Sequence, residues 1–176
     1  FYAAHTAAFI SECGYHGANS VASMKKFLSA DNVWPWKKKG DWYTVKNEEW
    51  LHHATLGYDY RIPLMFKQIR EGFMLDPDNA EDFSLASQIV QAEAKKFFVE
   101  NVRIHKWKKA GILWWNVMDC WPQFSDAIVD YYFDKKLAYD YLKRSQKPVL
   151  GIIGEWRNWA HEVVITNDTL QEKDGR

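Results

Sequence analysis

Two apolar runs constrain this chain more than any other feature. Ala7-Ala8-Phe9-Ile10 leads directly into Ser11-Glu12-Cys13-Gly14, and Ile112-Leu113-Trp114-Trp115-Asn116-Val117-Met118 leads into Asp119-Cys120-Trp121-Pro122. Such runs read as strands buried on both faces, each meeting a loop at its C-terminal end. The residues between them read as helices. Strand, helical connection, strand, helix is β/α order, which predicts a parallel sheet or barrel.

The connection divides by its punctuation. Asn19 or Ser20 can cap a helix whose apolar face is Val21, Met24, Phe27 and Leu28. Residues 30–46, aromatic and lysine-rich with Pro35 and Gly40, read as an irregular loop. Asn47 can cap a short helix through Trp50, Leu51 and Ala54, ended by Gly57. Pro63 suits the first turn of another helix, carrying Leu64, Phe66, Ile69 and Phe73. After Leu75-Asp76-Pro77-Asp78 the strongest helical pattern covers 84–109. Its stripe is Leu85, Ile89, Ala92, Phe97, Val102 and Ile104, with Lys106, Lys108 and Lys109 near its C-terminus and Gly111 as its stop. A last helix covers 134–145, with Leu137, Tyr141 and Leu142 inward. Past Lys147-Pro148 the texture becomes short β-like runs, 149–153 and 162–165, with a turn signal at Asn167-Asp168. The boundary falls near 147. Residues 1–146 form the β/α part, and 147–176 form the opening strands of a β-sandwich.

Composition removes several function classes. Lys+Arg and Asp+Glu both number 23, so the net charge is zero and no basic stripe offers itself to nucleic acid. Lys37-Lys38-Lys39 reads as a solvated turn. The 47% apolar content excludes disorder. No apolar run approaches the roughly 20 residues of a membrane span, so no membrane partner is expected. Cys13 and Cys120 lack metal or redox spacing and are expected as free, buried thiols. His52 and His53 are adjacent, cannot face one metal from one helix side, and are expected at the surface. No metal or cofactor is expected. The chain opens at Phe1 in mid-pattern, without a signal peptide, and is expected to start elsewhere in its natural form. Compartment is not legible, and the sequon Asn167-Asp168-Thr169 has meaning only in a secreted eukaryotic chain.

The chemistry gathers at the two strand ends. Ten tryptophans supply flat apolar faces with one polar edge, suited either to sugar rings or to a large aromatic core. Trp34, Trp36, Trp42 and Tyr43 could wall a sugar site or pack a loop onto neighbouring domains. Glu12, at the end of a buried strand, needs either a task or an ordinary partner. Asp119 either caps the loop before Trp121-Pro122 or contacts substrate.

Ser11-Glu12-Cys13-Gly14-Tyr15-His16 resembles the Ser-Glu-Phe-Gly-Phe-Gln element of the β-mannosidase branch of glycoside hydrolase family 2. Ala86-Ser87-Gln88, Gln91-Ala92-Glu93-Ala94, Lys106-Trp107-Lys108 and Gly111-Ile112-Leu113-Trp114-Trp115 resemble its long helix and eighth strand. Asp119-Cys120-Trp121-Pro122 is similar to its Asn-Asp-Cys-Trp-Pro element. Val129-Asp130-Tyr131-Tyr132, Lys143-Arg144 and Pro148-Val149 follow in the family's order. The resemblance implies the last two β/α units of a (β/α)8 TIM barrel, then the first strands of an immunoglobulin-like β-sandwich. It implies Glu12 as nucleophile of a retaining β-glycosidase, Trp121 against the sugar and Asp119 at the same rim. His16, Tyr15 and Trp115 are candidate donors near Glu12.

The family's acid/base, an Asn-Glu pair on the fourth strand, has no counterpart here. It is expected upstream, in the remainder of the same polypeptide. His16 and Asn116 stand where the family has glutamines, and Met118 where it has an asparagine. β-Mannoside is the favoured substrate; β-galactoside, β-glucuronide and β-glucosaminide stay open. A catalytically silent sugar-binding member and a fragment without function are the alternatives. The chain alone is expected to lack activity, because two strands cannot close a barrel.

Overall fold

The computed structural model describes residues 7–44, 46–54 and 60–175. Gly57, the expected helix stop, lies outside them, as does Phe1. Strand β1 is Phe9–Gly14 and β2 is Gly111–Trp115. They pair in parallel, Phe9 opposite Gly111 and Gly14 opposite Trp115, with a register irregularity between Ile10 and Cys13. The parallel pairing agrees with the β/α reading. Full burial of the strands does not. Ile10 and Cys13 pack with Ile112 and Trp114 on one face, while Phe9 is 49% and Leu113 60% exposed. Glu12 is exposed as well, inside β1 rather than beyond its end. Among the described residues only one face of this sheet is covered by a helix.

That helix is α4, Ala80–Ile104, after α1 (Val21–Met24), α2 (Glu48–His53) and α3 (Arg61–Phe73). Ser20 and Asn47 cap α1 and α2 by accepting from the amides of Ser23 and Trp50. α1 stops after one turn, so Phe27 and Leu28 follow it in a turn rather than on its face. α4 begins earlier than its apolar pattern suggested because Asn79 accepts from the Asp82 amide, with Glu81 and Asp82 in the first turn. It ends at Ile104 rather than near 109, and the chain then turns back as the Lys106 amide donates to the Arg103 carbonyl and the Lys109 amide to that of His105. The buried stripe also rotates. Phe83, Ala86, Phe98, Val99 and Val102 are inside, whereas Leu85 is 58% exposed. On α3 the core face is Ile62, Met65, Phe66 and Ile69, with Phe73 44% exposed.

The segment 30–46 is irregular, as expected, and mostly at or near the surface, but two of its tryptophans belong to the core. Trp36 and Trp42 are buried against Phe66, at 5.2 and 4.7 Å between ring centroids, and Trp50 stacks on Phe124 at 4.3 Å. These tryptophans fill an interior, which favours the packing alternative. Cys13 is buried as expected; Cys120 is exposed. Helix α5, Leu137–Ser145, packs on α4 through Leu142 and Ala138.

Strands β3 (Val149–Arg157) and β4 (Ala160–Asn167) form an antiparallel hairpin. Its turn places Asn158 and Trp159 at positive φ, the geometry that matches strand twist. Asp168 ties the hairpin to α4, 2.9 Å from Arg103 and 2.7 Å from Lys106.

Candidate active site

The two strand ends meet where the sequence placed its chemistry. Glu12, Trp115 and Trp121 line one cavity of about 620 Å³, together with Arg61, Gln123 and Asp126. Among the described residues, no ion pair or hydrogen bond engages the Glu12 side chain. It extends from a strand whose neighbour, Cys13, points the other way into the α4 interface.

Trp121 is held from behind by α2. His53 stacks beside it at 5.5 Å and 29°, and His52 meets it edge-on at 5.6 Å. His53 Nδ1 lies 2.7 Å from the Pro122 carbonyl oxygen, and the Phe124 amide donates to the His53 carbonyl at 2.9 Å. The adjacent histidines therefore brace the loop after β2. Among the described residues no cluster of His, Cys, Asp or Glu could hold a metal ion.

The loops carrying the site are irregular, and buried backbone groups in irregular chain need partners. α4 supplies them from a polar stripe at helical spacing. Ser84 donates to the Asn19 carbonyl at 2.8 Å, and Gln88 to that of Ala18 at 3.0 Å. The Ala18 amide donates to Ser87 Oγ at 3.0 Å. Gln91 donates to the carbonyls of Tyr15 at 3.0 Å and Asp126 at 3.1 Å. Lys95, with no exposure, donates to the Trp115 carbonyl and so fixes the end of β2. From the loop before α5, Lys136 Nζ donates to the Gly17 carbonyl at 2.7 Å. Ser87, Gln88 and Gln91, singled out in the sequence by resemblance, thus order the backbone behind the cavity.

Burial governs the titratable groups here. It pushes Lys95 down to about 8 despite Asp126 and Cys13 nearby, and it lowers Lys136 as well. It pushes the Cys13 thiol up to about 11, with Lys95 opposing. His16 is pushed down to about 4, also by burial, although the carboxylate of Asp126 lies 3.4 Å from its Nε2. His16 is therefore neutral at pH 7.

The expected site residues divide. Glu12, Trp115 and Trp121 share the cavity. Tyr15 instead packs into the α4 interface against Phe98, at 6.2 Å between centroids. His16 sits behind the cavity against Asp126. Asp119 is 1% exposed, accepts from Gln123 Nε2 at 2.8 Å as a brace of this loop, and does not line this cavity, though it lines the adjoining one that shares Cys120. Burial raises its carboxyl, with Lys136 opposing. The cavity-lining Arg61 and Asp126 carried no sequence signal of their own.

Comparison with known proteins joins this geometry to a family. β-Mannosidase B of Thermothelomyces thermophilus is 31% identical over 149 residues, covering 80% of this chain and 16% of that protein. β-Mannosidase B of Emericella nidulans is 35% identical over 96% of this chain and 20% of its own length. The crystal structure of the β-D-mannosidase from Dictyoglomus thermophilum aligns over 97% of this chain and 19% of that one, with a TM-score of 0.81 at 28% identity. The chain belongs to the β-mannosidase-like branch of glycoside hydrolase family 2. An exo-chitosanase of Amycolatopsis orientalis, 18% identical with a TM-score of 0.68, shares its fold. No family model matches the chain. It spans about a fifth or less of the length of these relatives, an α/β segment consistent with part of a larger glycosidase.

Proposed function

We propose that this chain is part of a retaining β-glycoside hydrolase acting on β-mannosides, with Glu12 as nucleophile. The observation that carries the reading is the convergence of Glu12, Trp115 and Trp121 on one cavity at the ends of two parallel strands. Glycosidic cleavage passes through an oxocarbenium-like state. An ionised carboxylate beneath the anomeric carbon attacks it and forms a glycosyl-enzyme, while a second carboxyl group about 5–5.5 Å away protonates the leaving oxygen and then activates water. An exposed Glu12 with no ion pair or hydrogen bond among the described residues suits the first role. Trp115 and Trp121 offer apolar faces to the C–H face of a pyranose.

The acid/base carboxyl belongs to a preceding part of the same polypeptide. Residues 1–146 are the last two β/α units of a (β/α)8 barrel, and 147–176 begin an immunoglobulin-like sandwich. The exposed inner positions of β1 and β2 support this placement, since in a closed barrel they face the other strands. For the same reason the chain by itself is inactive. Replacing Glu12 by Gln in the full-length protein should lower turnover of an aryl β-mannoside by orders of magnitude. Unchanged turnover rules out the assignment.

A further inference from the structure

The charged side chains that line the cavity among the described residues are Glu12, Arg61 and Asp126. The proposed chemistry explains the place of neither Arg61 nor Asp126, and the two lie side by side. The Asp126 side chain is 8% exposed, with Oδ2 3.4 Å from His16 Nε2 and 3.8 Å from Arg61 Nη2. Those separations exceed a short charge-assisted hydrogen bond. With His16 neutral, the charge of Asp126 is balanced by Arg61 and, at longer range, by the buried Lys95 and Lys136. A carboxylate so placed lines the cavity without a short hydrogen bond to His16 or Arg61.

Its position relative to Glu12 follows from the strand. Residues 12 and 14 lie two apart on β1, so they face the same side, about 6.5 Å apart along the chain. Position 14 is glycine, and a Cβ built there would sit 2.7 Å from Asp126 Oδ1. Asp126 thus fills the space that a side chain at position 14 would take, on the same side as Glu12 and one strand repeat along. Glu12 and Asp126 therefore face one cavity from neighbouring positions, within the span of a single pyranose ring.

We propose that Asp126 is a specificity-determining residue of the sugar site, its carboxylate accepting hydrogen bonds from ring hydroxyls remote from the anomeric carbon. The inference rests on Glu12 being the nucleophile. It selects pyranosides with free hydroxyls at those positions. Gly14 is required because any larger residue displaces the carboxylate.

The test uses the full-length protein and aryl β-mannosides that each lack one hydroxyl. Asp126→Asn should lower kcat/KM on the parent glycoside by about 10- to 100-fold. One deoxy substrate should be poor with the wild type and lose no further with the variant, because both changes delete the same bond. Gly14→Ala should show the same non-additive pattern and provides a second route if Asp126→Asn does not fold. Losses that simply multiply across every deoxy substrate overturn the proposal, as does a wild type indifferent to every single deoxygenation. The parent reading is checked separately. If Glu12→Gln keeps turnover, the nucleophile assignment fails and takes this inference with it; if only the deoxy pattern is additive, the assignment of Asp126 falls alone.

Discussion

Lys95 gives the sharpest consequence of the buried polar layer behind the cavity. Its ammonium has no exposure, donates to the Trp115 carbonyl and is pushed by burial from its ordinary 10.5 down to about 8. At about 1.4 kcal/mol per tenfold change in proton affinity, the charged form costs the fold about 3 kcal/mol. The sign follows from proton counting. Between pH 8 and 10.5 the unfolded lysine keeps its proton and the folded one has lost it, so stability rises with pH across that window. Below pH 8 the cost is fully present. Lys95→Met removes the cost but leaves the Trp115 carbonyl without its donor, worth about 1–3 kcal/mol in the other direction. The variant should therefore range from equal to wild type to about 2 kcal/mol more stable at pH 7, and be less stable by about 1–3 kcal/mol at pH 10.5. Urea unfolding of the full-length protein across this range, read by tryptophan fluorescence, measures the difference. A gap between wild type and variant that stays constant from pH 7 to 10.5 would refute the reasoning.

His16 titrates in the opposite part of the scale. With its folded value near 4 against an ordinary 6.5, stability is lost as pH falls from 6.5 through 4, and His16→Gln should flatten that loss in the same unfolding measurement. The two cysteines should separate cleanly. Cys120, exposed at the cavity, should take up iodoacetamide at pH 8, while Cys13, buried and pushed up to about 11, should not; mass spectrometry of the labelled peptides reads this.

Much of this architecture is legible in the sequence, for identifiable reasons. The apolar runs and their polar ends located β1 and β2, and the side-chain oxygens of Ser20 and Asn47 marked helix starts that the structure keeps. The apolar residues of α4 occur on several faces, so they do not fix which side of the helix is buried. The informative feature was the polar one: Ser84, Gln88, Gln91 and Lys95 follow one another at helical spacing and are all inside or nearly so. A lysine and a glutamine in such a row signal buried backbone in need of donors. The lysines, Pro35 and Gly40 of 30–46 mark an irregular segment, but no local pattern says which side its aromatics take; Trp36 and Trp42 pack inward against the aromatic core that includes Phe66 and Trp50. At the site, the position of Glu12 after an apolar run makes it a candidate, and the family resemblance singles out both Glu12 and Trp121. Asp126 and Arg61 are not visible in the sequence, since their meeting depends on tertiary placement that no local spacing encodes. Tyr15 and His16 adjoin Glu12 in sequence yet turn away from the cavity, where α4 and Asp126 hold them.

The most direct trial of the account is to trap the proposed intermediate. The full-length protein would be incubated with an activated 2-deoxy-2-fluoro β-mannoside, whose fluorine slows the second step more than the first, and digested for peptide mass spectrometry. The account predicts one added fluorosugar per active site, ester-linked to Glu12. A label on another carboxylate, or turnover with inversion at the anomeric carbon and no label, would contradict it.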